Sequence, residues 1–196
     1  ALSGDVVLAC GTDHTIRRMS TATGFVSTWL GTFGVDGYTN SMGASAKFQK
    51  PHAAIVDQGT GLAYIADYNN NVVRKATAGG SVSTWQTGIT YAADLAIYGG
   101  FVWMCSFVGA SDGILKGQLS NGAKTVFVGA NPSFNHWANA FTSGGTMYAA
   151  PFTKHSVVKY VPPSTTMIHV AGVHATSGTD DGNGASALFN KPVGIA

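Results

Sequence analysis

The chain is short of charge. Of 196 residues, 11 are Lys or Arg and 9 are Asp or Glu, so 10% are charged, against about 25% in a typical domain. The formal net charge is only +2, and no Lys/Arg cluster is present, which excludes the basic stripe that tracks phosphates in nucleic-acid binders. No apolar run approaches the ~18 residues of a membrane span. The opening "ALSGDVVLAC" has neither the basic start nor the long apolar stretch of a signal peptide, although a signal already removed leaves the same start. Catalytic signatures are missing as well. There is no G-x-S-x-G elbow and no G-x-x-x-x-G-K-[ST] phosphate loop. The sequon "NPS" (131–133) is disabled by Pro132. What is plentiful is glycine, 26 residues, together with Ser and Thr. The polar surface is therefore built from hydroxyls, amides and backbone.

Repeats organise the chain. Three passages align: "VVLACGTDHTIRRMSTATGFVSTWLG" (6–31), "LAYIADYNNNVVRKATAGGSVSTWQTG" (62–88) and "MYAAPFTKHSVVKYVPPSTTMIHVAG" (147–172), with a more divergent copy at 101–130. Each reads as an apolar strand, a polar turn, a β-branched strand with basic residues, another turn and a third strand. A short apolar strand precedes the last three copies: "HAAIV" (52–56), "DLAIY" (94–98) and "ANAFT" (138–142). The first copy has none before it, and the spare one, "PVGIA", lies at 192–196.

Four short antiparallel strands per unit of about 40–50 residues are the pattern of a β-propeller blade. The expected fold is all-β: one domain over 1–196 with four blades, at 192–196 plus 1–31, 52–88, 93–130 and 138–172. Long loops cover 32–51 and 173–191. Three arrangements fit. "PVGIA" pairs with the first copy and closes a four-bladed ring, or the chain is a slice of a larger, six-bladed propeller, or "PVGIA" pairs with the next molecule. The last would be self-association through terminal strands, because an open edge is a template for strand addition.

"GLAYIADYNNNVVRKATAGGSVSTWQTG" and "TSGTDDGNGASALFNKPVGIA" resemble the NHL-repeat family. In that family a Tyr-Ile/Val-Ala-Asp strand leads through an Asn-rich turn to Ile/Val-Arg-Lys. A loop with Asp-Gly, Gly-Ala and Ala-x-Phe then precedes Pro-x-Gly-Ile/Val-Ala. Residues 43–88 and 172–196 match well. Residues 6–31 match in part, with Gly11 read at the place of Asp67, and 89–145 match poorly. The resemblance implies a propeller. It leaves function open, because relatives bind protein, RNA or sugar, and a few are lyases or lactonases.

Candidate chemistry concentrates at the start of the blades. Alignment on Ala54, Ala96 and Ala140 puts His52, Asp94 and Ala138 at one level, with Val193 as the fourth and His136 and Trp137 one step further out. His52, Asp94 and His136 are ordinary zinc-ligand types; the alternative is a polar lining around water. Tyr91, Asn135 and Trp137 lie in the loops that depart most from the repeat, and loop aromatics suit sugar stacking or a protein hot spot. "DDGNG" (180–184) has part of a calcium loop but lacks its ligand spacing, so turn chemistry is the plainer reading. Asp67 and Asn69 to Asn71 read as an Asx-type turn bonding local backbone. Cys10 and Cys105, at equivalent strand ends of the first and third copies, read as two buried free thiols. Trp29 and Trp85, which end the repeated "VSTW", read as blade-to-blade core.

The expected function is a non-enzymatic binding or assembly module, extracellular or surface-associated, presenting His52, Tyr91, Asp94, Asn135, His136 and Trp137 to protein or carbohydrate. It needs no cofactor, no nucleic acid and no membrane span. The alternative is a metal-assisted lyase or lactonase using calcium or zinc at His52, Asp94 and His136.

Overall fold

The computed structural model describes residues 4–106, 113–129 and 136–195, the side chains of His136 and Trp137 excepted. Strands β1 (Asp5–Cys10), β2 (Thr15–Ser20) and β3 (Val26–Leu30) form the first sheet. Strands β4 (Pro51–Asp57), β5 (Leu62–Asp67), β6 (Val72–Ala76) and β7 (Val82–Thr87) form the second. The third holds β8 (Ala92–Tyr98), β9 (Phe101–Ser106), β10 (Ile114–Gln118) and β11 (Lys124–Val128). The fourth holds β12 (His136–Phe141), β13 (Met147–Pro151), β14 (Val157–Tyr160) and β15 (Ile168–Ala171). Neighbours in each sheet are consecutive in the chain, and the pairings with a stated register are antiparallel. The turns are punctuated as the composition requires. At the β4–β5 hairpin, for instance, Asp57 accepts bonds from the Gly59 N–H and the Thr60 hydroxyl, and Gly61 takes φ +68°, a conformation open to glycine at little cost.

The chain divides into two compact units, 1–95 and 96–196. In the first, Ile16 and Leu30 of the first sheet meet Ala63, Ile65, Ala76 and Val82 of the second in one buried cluster. Loop 32–51 adds Ala46 and Phe48, both at 0% exposure. In the second unit the cluster is aromatic. Trp103 meets Phe127 edge-on at 4.9 Å, and Phe141 stacks on Tyr98 at 4.8 Å. Such ring pairs add about 0.5–1.5 kcal/mol each beyond area burial.

A buried charge ties the first unit together. The side chains of Arg74 and Asp67 are 0% exposed and form an ion pair at 3.0 Å. Each of the five guanidinium N–H groups finds an acceptor. Nε donates to Asn40 Oδ1, Nη1 to Asp67 Oδ2 and the Lys47 carbonyl, and Nη2 to Asn40 Oδ1 and the Thr39 carbonyl. The Tyr38 and Phe48 rings lie 4.9 and 5.3 Å from the guanidinium carbon. Four of these five hydrogen bonds, to Thr39, to Lys47 and twice to Asn40, go to residues 32–51, so one side chain of the second sheet holds the loop that leaves the first.

Three expectations are corrected. Residues 192–195 carry no strand, and the first sheet has three strands among the described residues. A strand needs a paired neighbour, and residues 192–195 have no ladder partner among the described residues. Second, Asp67 does not cap its own turn. It accepts the Gln49 N–H at 2.7 Å and Asn70 Nδ2 at 2.8 Å, while Asn70 also donates to the Gly37 carbonyl, because a buried carboxylate is worth most where it meets a cation. Third, strand register makes Cys10, not Gly11, the counterpart of Asp67: Cys10 faces Thr15 as Asp67 faces Val72. Cys105 pairs with Ile114, next to that sheet's bulge, as Ala66 pairs with Val73. The two cysteines are therefore one residue out of step. Both are free thiols, Cys105 buried and Cys10 half-buried. Trp29 and Trp85 share another position, the extra residue of the β2–β3 and β6–β7 bulges, and each is half-buried.

Burial pushes the Asp67 carboxyl above its ordinary range, against the pull of Asn70, the Gln49 N–H and Arg74. Arg74→Met therefore leaves a buried carboxylate without its cation, and urea unfolding should show a loss of about 3–5 kcal/mol at pH 7. With its folded pKa above the unfolded value near about 3.9, Asp67 then binds its proton more tightly in the native state. The variant should gain stability as pH falls toward that value, and an Asp67→Asn/Arg74→Met double variant should lack the gain. A single variant within about 1 kcal/mol of the parent contradicts the role.

Candidate functional site

The site in the first unit begins with a bulge. Pro51 pairs with Asp67 and Ala53 with Ala66, leaving His52 as the extra residue. A bulge re-aims the side chain it releases, and His52 is exposed. Its Nδ1 donates to the Ala93 carbonyl at 3.0 Å. A carbonyl can only accept, so the neutral ring carries its proton on Nδ1 and its lone pair on Nε2.

Two tyrosines extend this ring. Tyr68 opens the short 3-10 turn Tyr68–Asn70 that follows Asp67. Its ring lies 5.2 Å from that of His52 at 32° and 5.0 Å from that of Tyr91 at 31°. Tyr91, 37% exposed, takes φ +48°, a strained choice for a bulky residue. Asn71 holds it there. Asn71, itself left-handed, accepts the Tyr91 N–H at 2.9 Å through Oδ1 and the Ile89 N–H at 3.0 Å through its carbonyl. Burial first, and then the Tyr91 phenol, push the Tyr68 phenol above the usual range, so it is neutral and hydroxyl-bearing at pH 7. Three segments thus deliver a row of rings with polar edges.

His52 and Tyr91 are brought together through Tyr68, which sequence reasoning took for part of a turn. The usable signal was its place directly after Asp67, whose burial fixes the turn that carries it. Asp94 follows Ala93 on β8 and is half-buried. Asn135 lies outside the described residues, as do the side chains of His136 and Trp137. The backbone of His136 pairs with Pro151, and the register shifts before Ala138. Trp137 is therefore the bulge counterpart of His52, and the ungapped alignment of His52 with Ala138 was one residue off. Among the described residues no three His, Cys, Asp or Glu side chains gather in a metal-holding group. His14 and His155 accept the Lys50 and Lys191 N–H groups through Nδ1, each at 3.1 Å.

No family model and no curated protein matches the chain. Solved structures do. A streptogramin B lyase superposes with TM-score 0.67 at 12% identity, over 89% of this chain and 54% of the other. An auxiliary nutrient binding protein from Bacteroides thetaiotaomicron gives TM-score 0.72 at 14% identity, over 96% of this chain and 44% of the other. The chain is folded as a β-propeller. A virginiamycin B lyase from Staphylococcus aureus gives TM-score 0.63 at 13% identity, over 85% and 52%. The chain spans about half the length of these propellers. No helix among the described residues is long and apolar enough to cross a membrane.

Asn71→Gly keeps the left-handed backbone and removes the acceptor for Tyr91. It should cost about 1 kcal/mol and abolish NMR cross-peaks between the Tyr68 and Tyr91 rings. Cross-peaks of parental strength would show that Asn71 does not position Tyr91.

Proposed function

We propose that this propeller is a non-enzymatic binding module, acting outside the cell or at its surface, and that the His52–Tyr68–Tyr91 row is its contact surface for carbohydrate. The observation that carries the reading is the row itself: aromatic faces with hydroxyl and imidazole edges, standing at the surface of a chain with little charge. Aromatic faces accept the C–H faces of a sugar ring, and polar edges take its hydroxyls. Asp94, next to Ala93 on β8, belongs to the same proposed surface. The nutrient-binding neighbour is consistent with this use, and a protein partner is the nearest alternative of the same class.

A second reading follows from the two lyase neighbours. In it zinc or calcium is held at His52 and Asp94, with Nε2 as the ligand atom of the Nδ1-protonated His52.

Titration with a panel of neutral oligosaccharides, followed by the NMR signals of Tyr68 and Tyr91, separates the two. Binding that weakens by more than about 1 kcal/mol in Tyr91→Ala, with an unchanged melting temperature, is the expected result. No saccharide response, combined with stoichiometric zinc that is lost in His52→Ala, overturns the binding module in favour of the lyase.

A further inference from the structure

The loop at 173–191 repeats the loop at 32–51 position for position. Gly172 donates to the Gly184 carbonyl as Gly31 does to Gly43, and Gly178 to Phe189 as Gly37 to Phe48. Leu188 donates to Asp180 as Lys47 does to Thr39, and Ala175 to Lys154 as Gly34 to Asp13. The short 3-10 turns Gly43–Ser45 and Gly184–Ser186 coincide in this frame. Both loops are thus fastened alike to the sheet they leave. They differ on the other side. Loop 32–51 is covered by the second sheet, with Ala46 and Phe48 fully buried. In loop 173–191 the counterparts Ala187 and Phe189 are only half-buried, and Asp180, Asp181, Asn183 and Asn190 are exposed.

The first sheet shows the complementary deficit. Its Arg17 is the counterpart of Arg74: each follows a bulge and pairs with Thr, Thr28 or Thr84. Arg74 has all five donors satisfied, whereas the Nε of Arg17 is buried with no hydrogen-bond partner among the described residues. On the same face Val6 and Leu8 are each 39% exposed, although their counterparts Ala63 and Ile65 are at 0%. Among the described residues β1 is an edge strand of its sheet. Ile195, at the place of Ala54 in the repeat, lines a groove with Tyr148, as Ala54 packs in the cluster with Val7.

The charges compensate between the two halves. Around Arg74 the carboxylate is on the sheet, at Asp67, and the loop supplies the neutral Asn40. In the open pair the position of Asp67 is held by the uncharged Cys10, and that of Asn40 by Asp181. Either combination sets one carboxylate against one guanidinium, whereas the loop of one and the sheet of the other would leave two or none.

From this we infer that loop 173–191 with Pro192–Ile195 is a docking surface for the β1–β2–β3 sheet of a second copy of this chain, with the second copy's Arg17 entering a clamp formed by Asp181 and the carbonyls of Asp180 and Leu188. Residues 192–195 add to the edge of β1, and Val6 and Leu8 are covered. Arg suits this role because its planar fork fits several acceptors at once.

Sedimentation velocity of the 196-residue chain across a concentration series tests the proposal. The parent should associate head to tail. Asp181→Arg and Arg17→Asp should each weaken association roughly thirtyfold or more, as loss of one partner of a buried charge pair does. A mixture of the two variants should associate again, since each retains the half that the other lacks, and this also shows that both are folded. A parent that stays monomeric, or a mixture that fails to associate, overturns the proposal. A monomer in which the two substitutions lower the melting temperature with strong coupling overturns it too, in favour of a clamp closed within one chain.

Discussion

Arg74 has no water to solvate it, so its five donors and its charge must be met by protein or the first unit does not hold. Leaving such a group uncompensated costs several kcal/mol, a large fraction of a domain's stability of about 5–15 kcal/mol. The sequence around it is explained by that constraint. Asp67 supplies the charge, Asn40 bridges two of the guanidinium nitrogens, and Thr39 and Lys47 turn their carbonyls inward. Loop 32–51 could not take another path without stranding these groups. Because the loop leaves the first sheet and the arginine belongs to the second, satisfying one side chain fixes how two sheets pack.

The same constraint reaches the candidate site. Asp67 terminates β5 inside the protein, so the turn that follows must leave at that point, and Tyr68 is its first residue. Asn70 returns to loop 32–51, while Asn71 reaches the other way to hold Tyr91. Two consecutive asparagines thus divide their work between the clamp and the row of rings. The bulge at His52 completes the row, since without the extra residue the imidazole would not be released from the regular alternation of β4.

Strand order and blade-like repetition were legible because apolar alternation and Gly/Asn turns leave a local trace. The repeated "VSTW" and the aligned strand–turn–strand passages needed only comparison of the chain with itself. Bulges left no such trace. The inserted residues His52 and Trp137 are equivalent, but matching alanine to alanine paired Ala54 with Ala140 rather than Asn139, and a similar one-residue slip put Gly11 where Cys10 belongs. Partners distant in sequence were equally invisible. Asp67 and Arg74 read as a turn residue and a strand-end cation because Asn40 and Gln49, which give them meaning, lie far back along the chain. Tyr68 was passed over for the same reason: its importance comes from His52 and Tyr91, not from its neighbours in sequence.

Amide hydrogen exchange at low protein concentration tests most directly the claim that one clamp welds neighbouring sheets and that its repeat stands open. The amides of Gly43 and Gln49 donate to the second sheet, at Gly80 and Asp67, while that of Gly31 bonds within the loop, to Gly43, and that of Lys50 to His14 on the side of the first. The account predicts strong protection at Gly43 and Gln49 and fast exchange at their counterparts Gly184 and Asn190, with Gly31 and Gly172, and Lys50 and Lys191, protected alike within each pair. Equal protection of Gly43 and Gly184, and of Gln49 and Asn190, in the dilute chain would contradict it.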